Sequence, residues 1–115
     1  MRVLVCGGRD WCDILAMMIS MDKVYDERGP ITHLMHGGAQ GADDEARVWA
    51  LQRDIPTTPY PADWRTHGKA AGPSRNQRMI DEGKPDLVVA FPGGRGTADM
   101  VRRAKAAGIE VMEVQ

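Results

Sequence analysis

Apolar residues come in short blocks separated by longer amphipathic stretches, rather than in single alternation with polar ones. Val3-Leu4-Val5-Cys6 runs straight into Gly7-Gly8, and Leu87-Val88-Val89-Ala90-Phe91 into Pro92-Gly93-Gly94. Continuous apolar runs of this length predict parallel strands covered on both faces. Ile31 to Met35 predicts a second strand, ending in His36-Gly37-Gly38, and Ile109 to Val114 a last one. Ile55 to Tyr60 predicts a weak strand that Pro56 and Pro59 confine to a sheet edge.

The intervening segments carry helical spacing. Ile14, Leu15, Met18, Met21 and Tyr25 fall on one stripe, closed by Gly29-Pro30. Ala42 to Arg53 predicts a helix with Ala46, Trp49 and Ala50 inward. Its first turn holds Asp43, Asp44 and Glu45, where acids complement the positive end of the helix dipole. Pro61 to Gly72 reads as the longest irregular stretch. Pro73 or Ser74 then starts a short helix stopped by Gly83 and Pro85, and Thr97 to Ala107 predicts a final helix ending at Gly108. Five strands with helical crossovers predict one Rossmann-like α/β domain over residues 1–115, its sheet mostly parallel and flanked by helices.

Composition narrows the function classes. Fifteen basic and sixteen acidic side chains leave a formal charge of −1, which excludes a strongly basic nucleic-acid module and an acidic tail. No apolar run approaches the roughly 20 residues of a membrane span. The opening run breaks into glycine too early for a signal peptide, so the expected setting is cytoplasmic. Cys6 and Cys12 cannot cage a metal alone, and Cys6 falls in a predicted buried strand as a small reduced hydrophobe. Neither a metal nor a cofactor is expected.

Glycine placement is the informative feature. Gly7-Gly8-Arg9-Asp10, Gly37-Gly38-Ala39-Gln40-Gly41 and Pro92-Gly93-Gly94-Arg95-Gly96-Thr97 each join the end of a strand to the start of a helix. In an open parallel sheet such turns lie on one edge. If the first and fourth strands are neighbours, the chain reverses between them and leaves a crevice. Glycine admits close approach to the backbone, and free amides at a helix start form an anion site without any basic side chain. Thr97 caps its helix or donates its hydroxyl to a phosphate, while Arg9, Arg75 and Arg95 add charge at the rim. The expected guest is a phosphorylated nucleoside or a derivative of one.

Other residues rank lower. His33 reads as structural, and His36 as a residue that faces the crevice. His67 and Lys69 lie where a segment would close over a ligand, and Asp43 or Asp44 where an acid would meet a ribose hydroxyl. Arg102, Arg103 and Lys105 read as a solvated helix face. No triad and no paired carboxylates stand out, so no catalytic residue is assigned. The phosphate-loop ending Gly-Lys-Ser/Thr and the pattern Gly-x-Gly-x-x-Gly are both missing from these turns, which disfavours nucleoside triphosphate hydrolysis and ordinary dehydrogenase chemistry.

Five motifs in order carry a resemblance. Gly-Gly-Arg-Asp-Trp, His-Gly-Gly-Ala-Gln-Gly-Ala-Asp, Ala-Asp-Trp at 62–64, Gly-Lys-Ala-Ala-Gly-Pro-Ser-Arg-Asn at 68–76 and Phe-Pro-Gly-Gly-Arg-Gly-Thr-Ala-Asp-Met resemble the YspA-like family of the SLOG superfamily. That superfamily also holds the Lonely Guy phosphoribohydrolases and the Smf/DprA proteins. The resemblance implies recognition of nucleotides or of NAD- and ADP-ribose-derived molecules at the glycine edge, as a sensor in nucleotide signalling or phage–host conflict.

It implies site residues too. Arg75 and Met79 match the Arg-x-x-x-Met helix of the Lonely Guy enzymes, and Pro92, Gly93, Gly94, Gly96 and Thr97 match their Pro-Gly-Gly-x-Gly-Thr. Where those enzymes carry a catalytic Glu, this chain has Met100, and a thioether is no general base. The expectation is therefore binding, with phosphate on Gly37, Gly38, Ala39 and Gly41 and on Gly93–Thr97. Arg75 then anchors the ribose-phosphate, Arg9 and Trp11 border the base or second ribose, and Gly7, Gly8 and Asn76 complete the binding residues. The alternatives are an N-glycosidase working through Asp99 or Asp43, and an interaction module with an empty crevice. A nucleic-acid partner is disfavoured and a homodimer admitted.

Overall fold

A computed structural model describes residues 1–115. The strands are β1 (Arg2–Cys6), β2 (His33–His36), β3 (Thr57–Pro59), β4 (Leu87–Ala90) and β5 (Glu110–Glu113). They form one sheet in the order β3-β2-β1-β4-β5, with every pair parallel. The sequence order grows outward from β1 in one direction and then, from β4, in the other. The reversal therefore falls between β1 and β4, where the crevice was expected. β3 is an edge strand, consistent with Pro59 within it and Pro56 just before it.

The helices are α1 (Ile14–Arg28), α2 (Ala42–Gln52), α3 (Trp64–His67), α4 (Ala71–Gly83) and α5 (Arg95–Ala106). Alternate strand residues feed two cores. Val3, Val5, Leu34, Leu87 and Val89 pack with Met17, Met21, Val24, Ala46 and Trp49 of α1 and α2. Leu4, Cys6, Met35, Val88 and Ala90 pack with Met79, Ile80, Met100 and Ala104 of α4 and α5. Burying both faces is what makes β1 and β4 uniformly apolar. No helix is long and apolar enough to cross a membrane.

Three local expectations need correction. In α1 the inward stripe is Met17, Met21 and Val24, whereas Ile14 and Leu15 are 65% and 67% exposed. Apolar residues wrap more than half of this helix, so spacing alone does not select the buried stripe. Residues 61–72 are less irregular than predicted. Asp63 caps α3 by accepting from the Thr66 N–H at 3.1 Å, a 3-10 turn spans Gly68–Ala70, and α4 begins at Ala71, ahead of Pro73. Finally, α5 starts at Arg95 with no side-chain cap, so Thr97 sits inside its first turn. At the far end of α4 the left-handed residue is Lys84, while Gly83 is buried, where a Cβ would press on Met35.

Candidate functional site

The three glycine turns converge. The Gly8 N–H donates to the Pro92 carbonyl at 2.8 Å, and the Gly8 carbonyl accepts from the Ala42 N–H at 3.2 Å. The first turn is thus clamped between the other two. Several glycines are dictated by this contact alone. A Cβ on Gly7 would stand 2.5 Å from the Ala42 Cβ, and one on Gly41, where φ is +73°, would overlap the Gly8 carbonyl oxygen. Gly37 and Gly93 are closed in the same way by the Arg75 guanidinium and the Thr97 hydroxyl. Gly94 and Gly96 differ: a Cβ on either would meet no atom within 4 Å.

Between the turns lies a cleft of about 240 Å³. Gly7, Gly8, Arg9, Gly37, Ala39, Asp43, Arg75, Asn76, Gly94, Gly96 and Thr97 line it, above an apolar floor of Val5, Cys6 and Met79. Of this floor, sequence pointed only to Met79, through the Arg-x-x-x-Met match; Val5 and Cys6 read simply as parts of a buried strand. The structure places the remaining candidates elsewhere. Trp11 packs on Phe91 with ring centroids 4.8 Å apart and shields the α1/α2 core. His36 and Gly38 border a separate hollow with Asp44, Arg47 and Thr57. Gly41 is consumed by contact with the first turn, and Pro92 and Gly93 open toward β5.

The second turn satisfies two of its donors with its own side chains. The Asp43 carboxylate folds back to accept from the Ala39 N–H at 3.2 Å, and His36 Nδ1 accepts from the Gly38 N–H at 3.1 Å. Burial pushes the Asp43 carboxyl up to about 6, against the pull of the Ala39 amide and the Arg75 charge. Burial also lowers the pKa of His36, helped by the Arg47 charge, so its ring is a neutral acceptor at Nδ1. The third turn is unsatisfied. The amides of Gly94, Arg95, Gly96 and Thr97 have no protein acceptor, and the first helical bond is the one from Ala98 to the Gly94 carbonyl at 3.1 Å. Together with the dipole of α5 these amides make an anion-seeking surface.

Arg75 is partly committed. Its Nη1 donates to the carbonyls of Gly37 at 2.8 Å and Tyr60 at 3.3 Å, and its Nε to Asn76 Oδ1 at 2.9 Å. Burial lowers its pKa, offset by Asp43 beside it. Asn76 then donates to the Gly96 carbonyl at 3.1 Å and to Asp99 at 3.0 Å, tying α4 to the open turn. Asp99 also accepts from Arg102 and Arg103. Burial raises its pKa, but Asn76 and the two arginines outweigh that and hold it below the ordinary value. Arg103 and Arg102 are therefore more than a solvated face. Met100 is fully buried in the α4/α5 core, away from the cleft. Burial, with Asp43 next, pushes the Cys6 thiol up to about 12, which leaves it inert as a nucleophile. Both cysteines are free thiols.

Relatives share this framework. A sequence profile of the YspA, cpYpsA-related SLOG family (YAcAr) matches residues 1–67. The Gene 61 protein of Mycobacterium phage D29 is 43% identical over 121 aligned positions, covering 96% of this chain and 94% of its own. DNA processing protein A (DprA) of Streptococcus pneumoniae superposes with a TM-score of 0.75 at 19% identity, over 99% of this chain and 50% of that one. This chain thus corresponds to half the length of that protein. The Moco carrier protein of Chlamydomonas reinhardtii superposes with a TM-score of 0.68 at 23% identity, over 98% of this chain and 75% of its own. At such identities the two structures establish the fold. The profile match and the phage relative go further: this chain belongs to the YspA, cpYpsA-related SLOG family.

Proposed function

We propose that the cleft binds a phosphorylated nucleoside, or a related NAD- or ADP-ribose-derived molecule, with a phosphate against the first turn of α5. One observation carries this reading. Four consecutive amides from Gly94 to Thr97 lack partners at a helix start, and the glycines there leave the approach open. Drug-sized ligands occupy about 300–1,000 Å³, so a cleft of about 240 Å³ suits a single phosphoribosyl-sized fragment. Arg75 and Arg9 supply charge, and the apolar floor excludes water beneath the sugar.

Binding without turnover is the favoured form. Asp99 is occupied by three donors and Met100 is buried, so hydrolysis would have to run through Asp43, whose carboxylate is turned into its own loop. A phage-encoded relative fits a role as a sensor in nucleotide signalling during phage–host conflict. Self-association fits the exposed apolar residues Ile14, Leu15 and Ile19 on α1.

The test is calorimetric titration of the wild type and Gly94→Val with adenosine monophosphate, alongside chromatography for released adenine. Binding by the wild type, loss in the variant and no free base are expected. Equal binding by both would sink the reading, and released adenine would turn it into the hydrolytic one.

A further inference from the structure

The cleft does not end at its rim. An open groove of about 830 Å³ continues from it, sharing Arg9, Arg75 and Gly96, and runs between α3, the start of α4 and the outer side of α5. Its exposed charges are cationic: Arg9, Lys69, Arg95 and Arg102. Of these, Arg102 alone has a carboxylate partner, Asp99, and that acid is already shared with Arg103 and Asn76. Arg9, Lys69 and Arg95 make no ion pair, so an anionic guest in the groove would meet cations that the fold has not neutralised.

The groove also holds an aromatic side chain that the fold does not bury. Trp64 opens α3 and is 52% exposed, although tryptophan is among the most buried residue types on average. The indole lies over Gly72: a Cβ there would stand 3.7 Å from Trp64 Cη2. The ring is thus seated on the first turn of α4 while much of its surface stays open to the groove. An exposed indole on a cationic track is the arrangement on which a nucleobase stacks.

We infer that this groove is a second subsite, in which Trp64 stacks on a distal base or ring and Lys69 meets a second phosphate. The inference rests on the cleft holding the first phosphate. It assigns the ligand to the dinucleotide class, two nucleoside units joined through phosphates, rather than to mononucleotides. A polymer fits less well. The cleft is small, about 240 Å³ over Val5 and Cys6, and the formal charge of −1 provides no long basic track.

The experiment titrates adenosine monophosphate, NAD and an eight-residue single-stranded oligothymidylate into the wild type, Trp64→Ala, Trp64→Phe and Lys69→Ala. NAD should bind the wild type about tenfold or more tightly than the monophosphate. Trp64→Ala and Lys69→Ala should cut that advantage severalfold while leaving the monophosphate unchanged, and Trp64→Phe should restore most of it. Both side chains are exposed, so folding is not at issue, and the unchanged monophosphate affinity checks it.

Equal wild-type affinity for NAD and the monophosphate overturns the subsite. So does an advantage that survives Trp64→Ala. Tighter binding of the oligothymidylate than of NAD, lost in the same variants, replaces the dinucleotide with a nucleic-acid strand and overturns the assignment. If the monophosphate binds and Gly94→Val abolishes it, only the subsite has failed. If no probe binds, the cleft reading and the subsite fail together.

Discussion

The turn after β2 and the turn after β4 look alike as strings of glycine, but they are built for opposite ends. In Gly37–Gly41, Asp43 and His36 accept from the Ala39 and Gly38 amides, and Gly37 and Gly41 are glycines because a Cβ would strike Arg75 or Gly8. The carboxylate of Asp43 acts there as the loop's own anion. From Gly94 to Thr97 no acceptor is supplied, and no atom stands where the Cβ of Gly94 or Gly96 would go. Side chains of its own meet two amides of the first loop, whereas no amide from Gly94 to Thr97 is met. A glycine cluster therefore says nothing about ligands until the fate of its amides is known.

Substitution should separate the two turns. Gly41→Ala forces a side chain onto the Gly8 carbonyl at a φ of +73°, which L residues rarely adopt. A loss of about 3 kcal/mol or more is expected in urea unfolding, since positive φ and a backbone collision add. Gly94→Ala, with open space, should change stability by less than about 1 kcal/mol. If the two variants are equally stable, the distinction drawn between the turns is wrong.

Acidity gives a second handle on the closed turn. The Asp43 carboxyl is raised from 3.8 to about 6, so the folded state holds a proton that the unfolded chain has released. That stabilising contribution is complete below pH about 4 and lost as pH rises through about 6, on the order of 2–3 kcal/mol in all. Asp43→Asn keeps an acceptor for Ala39 and removes the titration. The fall in stability between pH 4 and 6 should disappear in the variant, measured by denaturant unfolding at each pH. In the wild type, the ionised carboxylate beside the cleft should weaken anion binding over the same interval. A pH profile identical in wild type and Asn variant would remove Asp43 as its source.

How much of this was legible follows from the physics of each element. β1, β4 and the reversal between them were readable because a doubly covered strand must be uniformly apolar and its exit must turn sharply. The α1 stripe was not, because Ile14, Leu15 and Met18 are as apolar as the Met17, Met21 and Val24 that end up inside. Residues 61–72 looked irregular because α3 spans only Trp64–His67, too short to show a period. The cleft members Arg75, Gly94, Gly96 and Thr97 could be placed from their turns and helix starts. The inward fold of Asp43 could not: an acid in the first turn of a helix has the same sequence signature whether it faces solvent or its own loop. Nor did sequence separate Trp11, which covers Phe91, from the exposed Trp64.

A smaller effect is expected at Arg75, which bonds the turn after β2 directly and reaches the turn after β4 through Asn76. Its Nη1 is spent on the Gly37 and Tyr60 carbonyls, so part of its role is to hold the closed turn against α4. Arg75→Lys keeps one positive charge near the cleft but cannot reproduce the fork that reaches Gly37, Tyr60 and Asn76 together. A stability loss of about 1–2 kcal/mol is expected from the buried carbonyls left unpaired. Affinity for adenosine monophosphate at low salt should fall only severalfold, because the open amides of the α5 turn remain. Raising the ionic strength should weaken both proteins alike and leave that difference in place, since the lysine keeps the charge and loses only the fork geometry. If Arg75→Lys instead abolishes binding at every salt concentration, the guanidinium and not the open turn is the primary anion site. The division between a self-closed loop and a receptive one would then have to be redrawn around α4.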